Sequence, residues 1–288
     1  MSRLVSIPGA SLARLLALAA IWGASFLFVR IASPAIGPVL TADSRMLIAG
    51  GALAIWFGFA GLDAQWRRWW RQYLVVGLLT SALPFLLFAY AALSLTAGLM
   101  SVINAISPMW GALFSAWLLG ERLTRRAALG LALGVAGVAL VTRPETGAAF
   151  AALPVLAATA AAACYGLAGA YMRRGTQDVP SQSMALGTQV AGGALLAPLV
   201  ALAPPSAVPG ALVLGCIVAM GLLSGAVAYL LYFRLVADIG AAGALTVTYL
   251  IPIFGVAWGA LFLGESVSPA MLAGAVLVVL GTFFVLRK

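Results

Sequence analysis

The chain has 288 residues, 64% of them hydrophobic and 8% charged, with a mean hydropathy of +1.12 and a formal charge of +9. Soluble domains hold about 45–50% apolar and about 25% charged residues, and at this length their surface needs a polar shell that this composition cannot fill. A soluble fold is excluded, and lipid is the solvent. Cys164 and Cys216 lie in apolar runs and read as small buried hydrophobes, not as a disulfide pair. The sequence has no histidine and no Cys or carboxylate cluster at metal-ligand spacing, so neither a metal nor a cofactor is expected.

A spanning helix takes about 20 mostly apolar residues. On that measure the chain predicts helices near 11–32, 39–61, 72–93, 97–119, 125–142, 151–173, 183–203, 211–236, 241–263 and 268–286. The breaks fall at Ser33-Pro34, the charged stretch Asp63–Arg71, Arg143-Pro144 and Ala203-Pro204-Pro205. Thr124 and Ser268-Pro269 read as helix starts, a hydroxyl cap and then Pro at the first helical position. The first segment has Trp22 in its middle and Arg30 near its far end, which suits an uncleaved span better than a signal peptide.

With the N-terminus placed in the cytoplasm, Arg3, Arg14, Arg67, Arg68, Arg71, Arg122, Arg125, Arg126, Arg173, Arg174, Arg234, Arg287 and Lys288 fall inside. Only Arg30, Arg45 and Arg143 of the 16 basic residues fall outside. The positive-inside rule then puts both termini in the cytoplasm. The basic charge marks topology, and no nucleic-acid partner is implied.

The sequence also repeats itself. At an offset of 144 residues, Pro108-x-x-Gly111 matches Pro252-x-x-Gly255, Leu119-Gly120-Glu121 matches Leu263-Gly264-Glu265, and Gly130 and Gly137 match Gly274 and Gly281. At an offset of 143, Trp22-Gly23 pairs with Tyr165-Gly166 and Arg30 with Arg173. The chain therefore divides into a first five-helix repeat, 1–143, and a second, 144–288. An odd number of spans per repeat turns the second upside down. The loop after Glu121 carries Arg122, Arg125 and Arg126, whereas the loop after Glu265 carries none, as inversion requires. The expected fold is an all-α membrane protein of ten transmembrane helices in two inverted repeats, an arrangement typical of secondary transporters.

These features resemble the drug/metabolite transporter superfamily, in particular its EamA-type members. The resemblance rests on Ile21-Trp22-Gly23-Ala24-Ser25, Pro108-x-x-Gly111, Leu119-Gly120-Glu121 and their second-half copies, and covers nearly the whole chain. It implies export of amino acids, related metabolites or drugs through a central cavity shared by the halves, and the chain is also similar to aromatic amino-acid exporters of that group.

Candidate cavity residues follow from position. On helix 4, Ala97, Ser101, Asn104, Pro108, Gly111 and Ser115 share a face. On helix 9 the equivalent stripe is Ala241, Leu245, Thr248, Pro252, Gly255 and Gly259. Small residues there suit close packing, so Gly111, Ser115, Gly255 and Gly259 read as packing. Asn104 and Thr248, one turn before a proline in each repeat, read as cavity. Phe85 and Phe88 correspond to Tyr229 and Tyr232, and Trp22 to Tyr165; Tyr90, Trp110 and Tyr249 lie nearby in sequence. Such rings would wall a cavity for an uncharged or zwitterionic aromatic solute, or pack against lipid. Trp66, Trp69 and Trp70 read as an interfacial belt in a loop.

Arg30, Asp43 and Arg45, toward the outer face, either pair with one another structurally or gate the site and attract a carboxylate. Pro84, Pro108 and Pro252 are expected hinges. Glu121 and Glu265 read as helix-end structure. No carboxylate falls near the midplane, so facilitated transport fits at least as well as proton antiport. An alternating-access carrier is the first reading and a channel the second. No GxxxxGK[ST], HExxH or GxSxG occurs, so an enzyme is not expected. The expected partners are a small-molecule substrate and the bilayer; a monomer suffices, and an Ala-, Gly- and Leu-rich chain is compatible with a bacterial inner membrane.

Overall fold

The computed structural model describes residues 9–142, 152–203 and 208–286. Arg3, the repeat boundary at Arg143-Pro144, the break at Pro204-Pro205, Arg287 and Lys288 lie outside the described residues. The helices are α1 Gly9–Ile36, α2 Pro38–Ala60, α3 Trp66–Ala91, α4 Ala97–Leu119, α5 Arg125–Val141, α6 Ala152–Gly175, α7 Ser181–Leu202, α8 Ala211–Gly240, α9 Val247–Leu263 and α10 Pro269–Leu286. Among the described residues there is no strand. Eight of these helices are long and apolar enough to cross a membrane, and α9 is a shorter apolar helix. With so many spans this is a multi-pass membrane protein.

Local chemistry sets the ends. Thr124 Oγ1 accepts from the Ala127 N–H at 3.1 Å, and Ser268 Oγ accepts from the Met271 N–H at 3.2 Å. The stretch expected as a loop up to Arg71 is shorter, because α3 takes in its tryptophans and arginines from Trp66 onward. The Trp66 ring meets Tyr73 edge-on at 5.1 Å, and the Tyr73 hydroxyl donates to the Ala64 carbonyl at 2.6 Å. Arg68 and Arg71 lie over the rings of Trp69 and Trp70. These stacked pairs organise an amphipathic first turn that apolarity alone does not reveal.

The helices pack in pairs that map onto each other when every helix is replaced by its counterpart five places along the chain. Thus α1 packs on α9 as α6 packs on α4, and α3 on α6 as α8 on α1, while α2–α7, α4–α9 and α5–α10 pair a helix with its own counterpart. The matched motifs make these contacts. A Cβ on Gly23 would lie 2.7 Å from Phe254 Cβ and 3.0 Å from Gly255 N; one on Gly166 would lie 2.5 Å from both Trp110 Cβ and Gly111 N. The Trp-Gly and Tyr-Gly motifs therefore seat on the Pro-x-x-Gly motifs of the opposite half. A Cβ on Gly130 would meet the Gly281 carbonyl at 2.5 Å, and one on Gly274 the Gly137 carbonyl at 2.7 Å. As the residue number rises on α5 it falls on α10, so the two helices run antiparallel. Small residues permit this approach, as is common where lipid offers no hydrophobic drive for association.

Regular helix fails at related places. α3 widens to a π-helix over Leu78–Ala82, and α8 does so over Met220–Val227; the first segment shifted by 144 falls within the second. α4 breaks at Ala105-Ile106, between Ala97–Asn104 and Ser107–Leu119. Pro84 and Pro108 each follow such a discontinuity. Pro252 does not: α9 runs through it, held where Ile251 packs against Gly23 of α1. The discontinuity before α9 lies instead at Leu245-Thr246 and at Gly240, whose φ of 76° suits a residue without Cβ.

Candidate functional site

Six of the expected residues form two aromatic sets, with Phe85 and Phe88 following the π-widened segment of α3 and Tyr229 and Tyr232 following that of α8. Trp22 of α1 meets Tyr232 at 5.8 Å and Tyr229 at 6.4 Å between ring centroids. Its repeat counterpart Tyr165 of α6 stacks on Phe88 at 6.5 Å and packs against the buried cluster that holds Phe85. Phe26 adds an edge-on contact to Phe88 at 5.3 Å. The Trp22 indole N–H donates to the Ser224 carbonyl at 3.3 Å. Ser224 lies inside the π-segment of α8, where the i→i−4 ladder is interrupted and a carbonyl is free to accept. Ser81, in the other π-segment, receives the Gln189 amide at 3.3 Å.

Arg45 joins the two aromatic sets. Its guanidinium carbon sits 3.7 Å from the Phe85 ring centroid, with Tyr165 and Tyr229 within electrostatic reach. It does not pair with Asp43, contrary to one expectation, because residues two apart on a helix do not face each other. Asp43 is buried toward Gly193 of α7, and among the described residues neither forms an ion pair. Arg45, Trp22, Tyr165, Tyr229 and Tyr232 are each partly buried. Buried atoms without a hydrogen-bond partner include Arg45 Nε, Asp43 Oδ1, Asn104 Oδ1 and Gln189 Oε1. Gln189 is wholly buried. Sequence reasoning missed it, although an amide in the middle of an apolar span signals function. Also unused was Ala-Gly-Gly-Ala-Leu, which occurs at 49–53 and again at 191–195, on the α2–α7 pair.

The remaining expected residues make other contacts. Ser101 is buried against Gly255, and its hydroxyl donates to the Gly98 carbonyl at 2.7 Å. The Thr248 hydroxyl is taken by the Leu245 carbonyl at 2.8 Å, a local bond that Thr makes readily in helices. Asn104, at the α4 break, keeps its Oδ1 unpaired. Trp110 stacks on Phe114 at 5.9 Å and packs on Gly166, and Tyr249 faces Phe283 at 6.5 Å. Tyr90 is 40% exposed, away from the rings. Arg30 is a helix-end clamp, since its Nη1 donates to the Ala92 carbonyl at 2.6 Å past the end of α3.

The two Leu-Gly-Glu motifs differ in their surroundings. Glu265 accepts from the Ala97 N–H at 2.8 Å and the Gly98 N–H at 3.2 Å, capping α4 from across the bundle. Glu121 is half exposed and pairs with Arg173 at 3.0 Å, which also contacts Ser115. Asp238 bridges Arg14 and Arg234 at 2.6 and 3.2 Å.

Paired aromatic sets beside Arg45 lie on helices that cross between two sequence repeats of a multi-pass membrane protein. The chain belongs to the EamA-like transporter family, which it matches twice, over residues 8–143 and 152–287. That membership places it among membrane transporters, not enzymes. It is 30% identical over 277 residues to the "Uncharacterized transporter YvbV" of Bacillus subtilis (strain 168), covering 95% of this chain and 90% of that protein. It is 26% identical over 276 residues to the "Probable terminal-alkyne amino-acid exporter" of Streptantibioticus cattleyicolor, covering 93% and 90%. A solved crystal structure shares the fold at a TM-score of 0.68 and 21% identity, with 96% of each chain covered.

Proposed function

We propose that the chain is a secondary transporter that exports small metabolites, foremost amino acids with aromatic or other bulky apolar side chains, by alternating access through a space between its two repeats. Membership of a transporter family supports the carrier role. The amino-acid reading draws on the aromatic rings and on the similarity to the probable terminal-alkyne amino-acid exporter from Streptantibioticus. The observation that carries the reading is the set of rings Trp22, Phe85, Phe88, Tyr165, Tyr229 and Tyr232 around Arg45. Flat apolar faces beside a few hydroxyls and a cation suit a solute that is apolar at one end and charged at the other.

In this reading ten helices span a bacterial inner membrane as two inverted five-helix repeats, 1–143 and 144–288, with both termini in the cytoplasm and a monomer as the working unit. Antiparallel contact between α5 and its counterpart α10 favours inversion, because a repeat related by an axis along the membrane normal would run parallel. Rocking of one helix set against the other exposes the site to either side. The discontinuities at 78–82, 105–106, 220–227 and 245–246 supply the places where helices bend.

The test is counterflow of radiolabelled amino acids in liposomes holding the purified chain, with and without a pH gradient. Saturable exchange of phenylalanine, tryptophan or tyrosine that ignores the gradient supports a facilitative amino-acid carrier. Exchange of other metabolites alone keeps the carrier and removes the amino-acid assignment.

A further inference from the structure

Arg45 is a charge inside a bundle of apolar helices with no anion beside it. Its Nε is buried without an acceptor, and the three ion pairs among the described residues involve Arg14, Arg173 and Arg234 instead. A charge in such surroundings is expensive to hold, and it persists in membrane proteins where a partner completes it. Here the protein supplies only a ring. The guanidinium carbon lies over the Phe85 ring, 3.7 Å from its centroid, and a guanidinium stacked on an aromatic face keeps the N–H groups of its planar edge available. That edge matches a carboxylate in bidentate fashion.

The neighbours fit the rest of such a solute. Tyr165 and Tyr229 stand within electrostatic reach of Arg45. Gln189, beside Tyr229, holds an unpaired and wholly buried Oε1, an acceptor for an N–H donor on the solute. The rings of Trp22, Tyr232 and Phe88 flank the site with flat apolar faces.

We propose that Arg45 is the carboxylate anchor of this site and sets its substrate class: an organic carboxylate with an apolar body, the edge of Arg45 holding the acid and Gln189 receiving a donor where the solute has one. The proposal rests on the carrier reading above and sharpens it. Solutes of the same body that lack the carboxylate, such as amines and amides, are rejected, because they leave the cation unpaired.

The experiment compares four probes that share a phenyl group, namely L-phenylalanine, 3-phenylpropionate, phenylalaninamide and phenethylamine. Each is titrated against the purified full chain by thermal stabilisation and then tested as a counterflow substrate in liposomes. The two carboxylates are expected to bind and the amide and amine to bind at least about tenfold more weakly, one tenfold step being about 1.4 kcal/mol. Arg45→Gln should lower carboxylate affinity about tenfold or more and erase the preference, while Arg45→Lys should keep part of it. If Arg45→Gln does not fold, the wild-type panel and Arg45→Lys decide the matter. Equal binding of the acid and the amide by the wild type, undiminished carboxylate binding by Arg45→Gln, or no binding of either carboxylate overturns the proposal. Binding of 3-phenylpropionate without L-phenylalanine would sink the amino-acid reading and keep Arg45 as anchor. Transport of L-phenylalanine and its amide alike would do the reverse.

Discussion

At Asn104 and Thr248 two side chains in equivalent repeat positions find different surroundings. Thr248 spends its hydroxyl on the Leu245 carbonyl at 2.8 Å, whereas Asn104 Oδ1 is buried with no partner at the α4 break. A polar atom left unpaired in an apolar interior costs about 1–3 kcal/mol, so it persists where something else meets it. Asn104→Ala is therefore expected to slow counterflow about tenfold at unchanged folded yield, the equivalent of one hydrogen bond. Thr248→Val should leave the rate within about twofold, because its hydroxyl already has a partner on its own helix. Initial rates in liposomes of matched protein content check both, and an equal loss in the two variants would contradict the distinction.

Between helices, several close approaches are made through glycine. A methyl group on Gly137 would lie 2.7 Å from the Gly274 carbonyl, while one on Gly215 of α8 would meet nothing within 4 Å. Gly137→Ala must push α5 off α10, an overpacking that costs about 1–3 kcal/mol, whereas Gly215→Ala should be neutral or slightly stabilising. Thermal unfolding in detergent should show a lowered midpoint only for the first. The two glutamates of the Leu-Gly-Glu motifs predict a second contrast. Glu265 caps the start of α4 through two backbone N–H groups, a role worth about 1–2 kcal/mol where a carboxylate meets a helix N-terminus. Glu121 makes a half-exposed pair with Arg173, worth about 0–1 kcal/mol. Glu265→Ala should thus lower the unfolding midpoint clearly more than Glu121→Ala, and the opposite order would show that the α4 cap contributes little.

Across the whole molecule the two repeats are interlocked, with α1 seated on α9 and α6 on α4. Residues 1–143 or 144–288 expressed alone should then be unstable in the membrane, and the two fragments expressed together should copurify; a stable, monodisperse single half would refute the interlocking. The sequence by itself determined the lipid solvent, the helical class, the repeat, and the glycines that pack, since each of these is local or periodic and survives in a list of letters. Hydropathy sums over about twenty residues, and an offset of 144 needs no coordinates. Only the tertiary structure decided which faces look inward. Helices apolar all round carry no stripe to show their buried side, so Tyr232 at the rings and Tyr90 outside them were indistinguishable in sequence. The same holds for Arg45, which stacks on Phe85 rather than pairing with Asp43, and for Glu265, whose partner Ala97 is 168 residues away. A charged side chain chooses among partners brought within a few ångströms by packing, and that choice is made between helices, where no single segment of sequence records it.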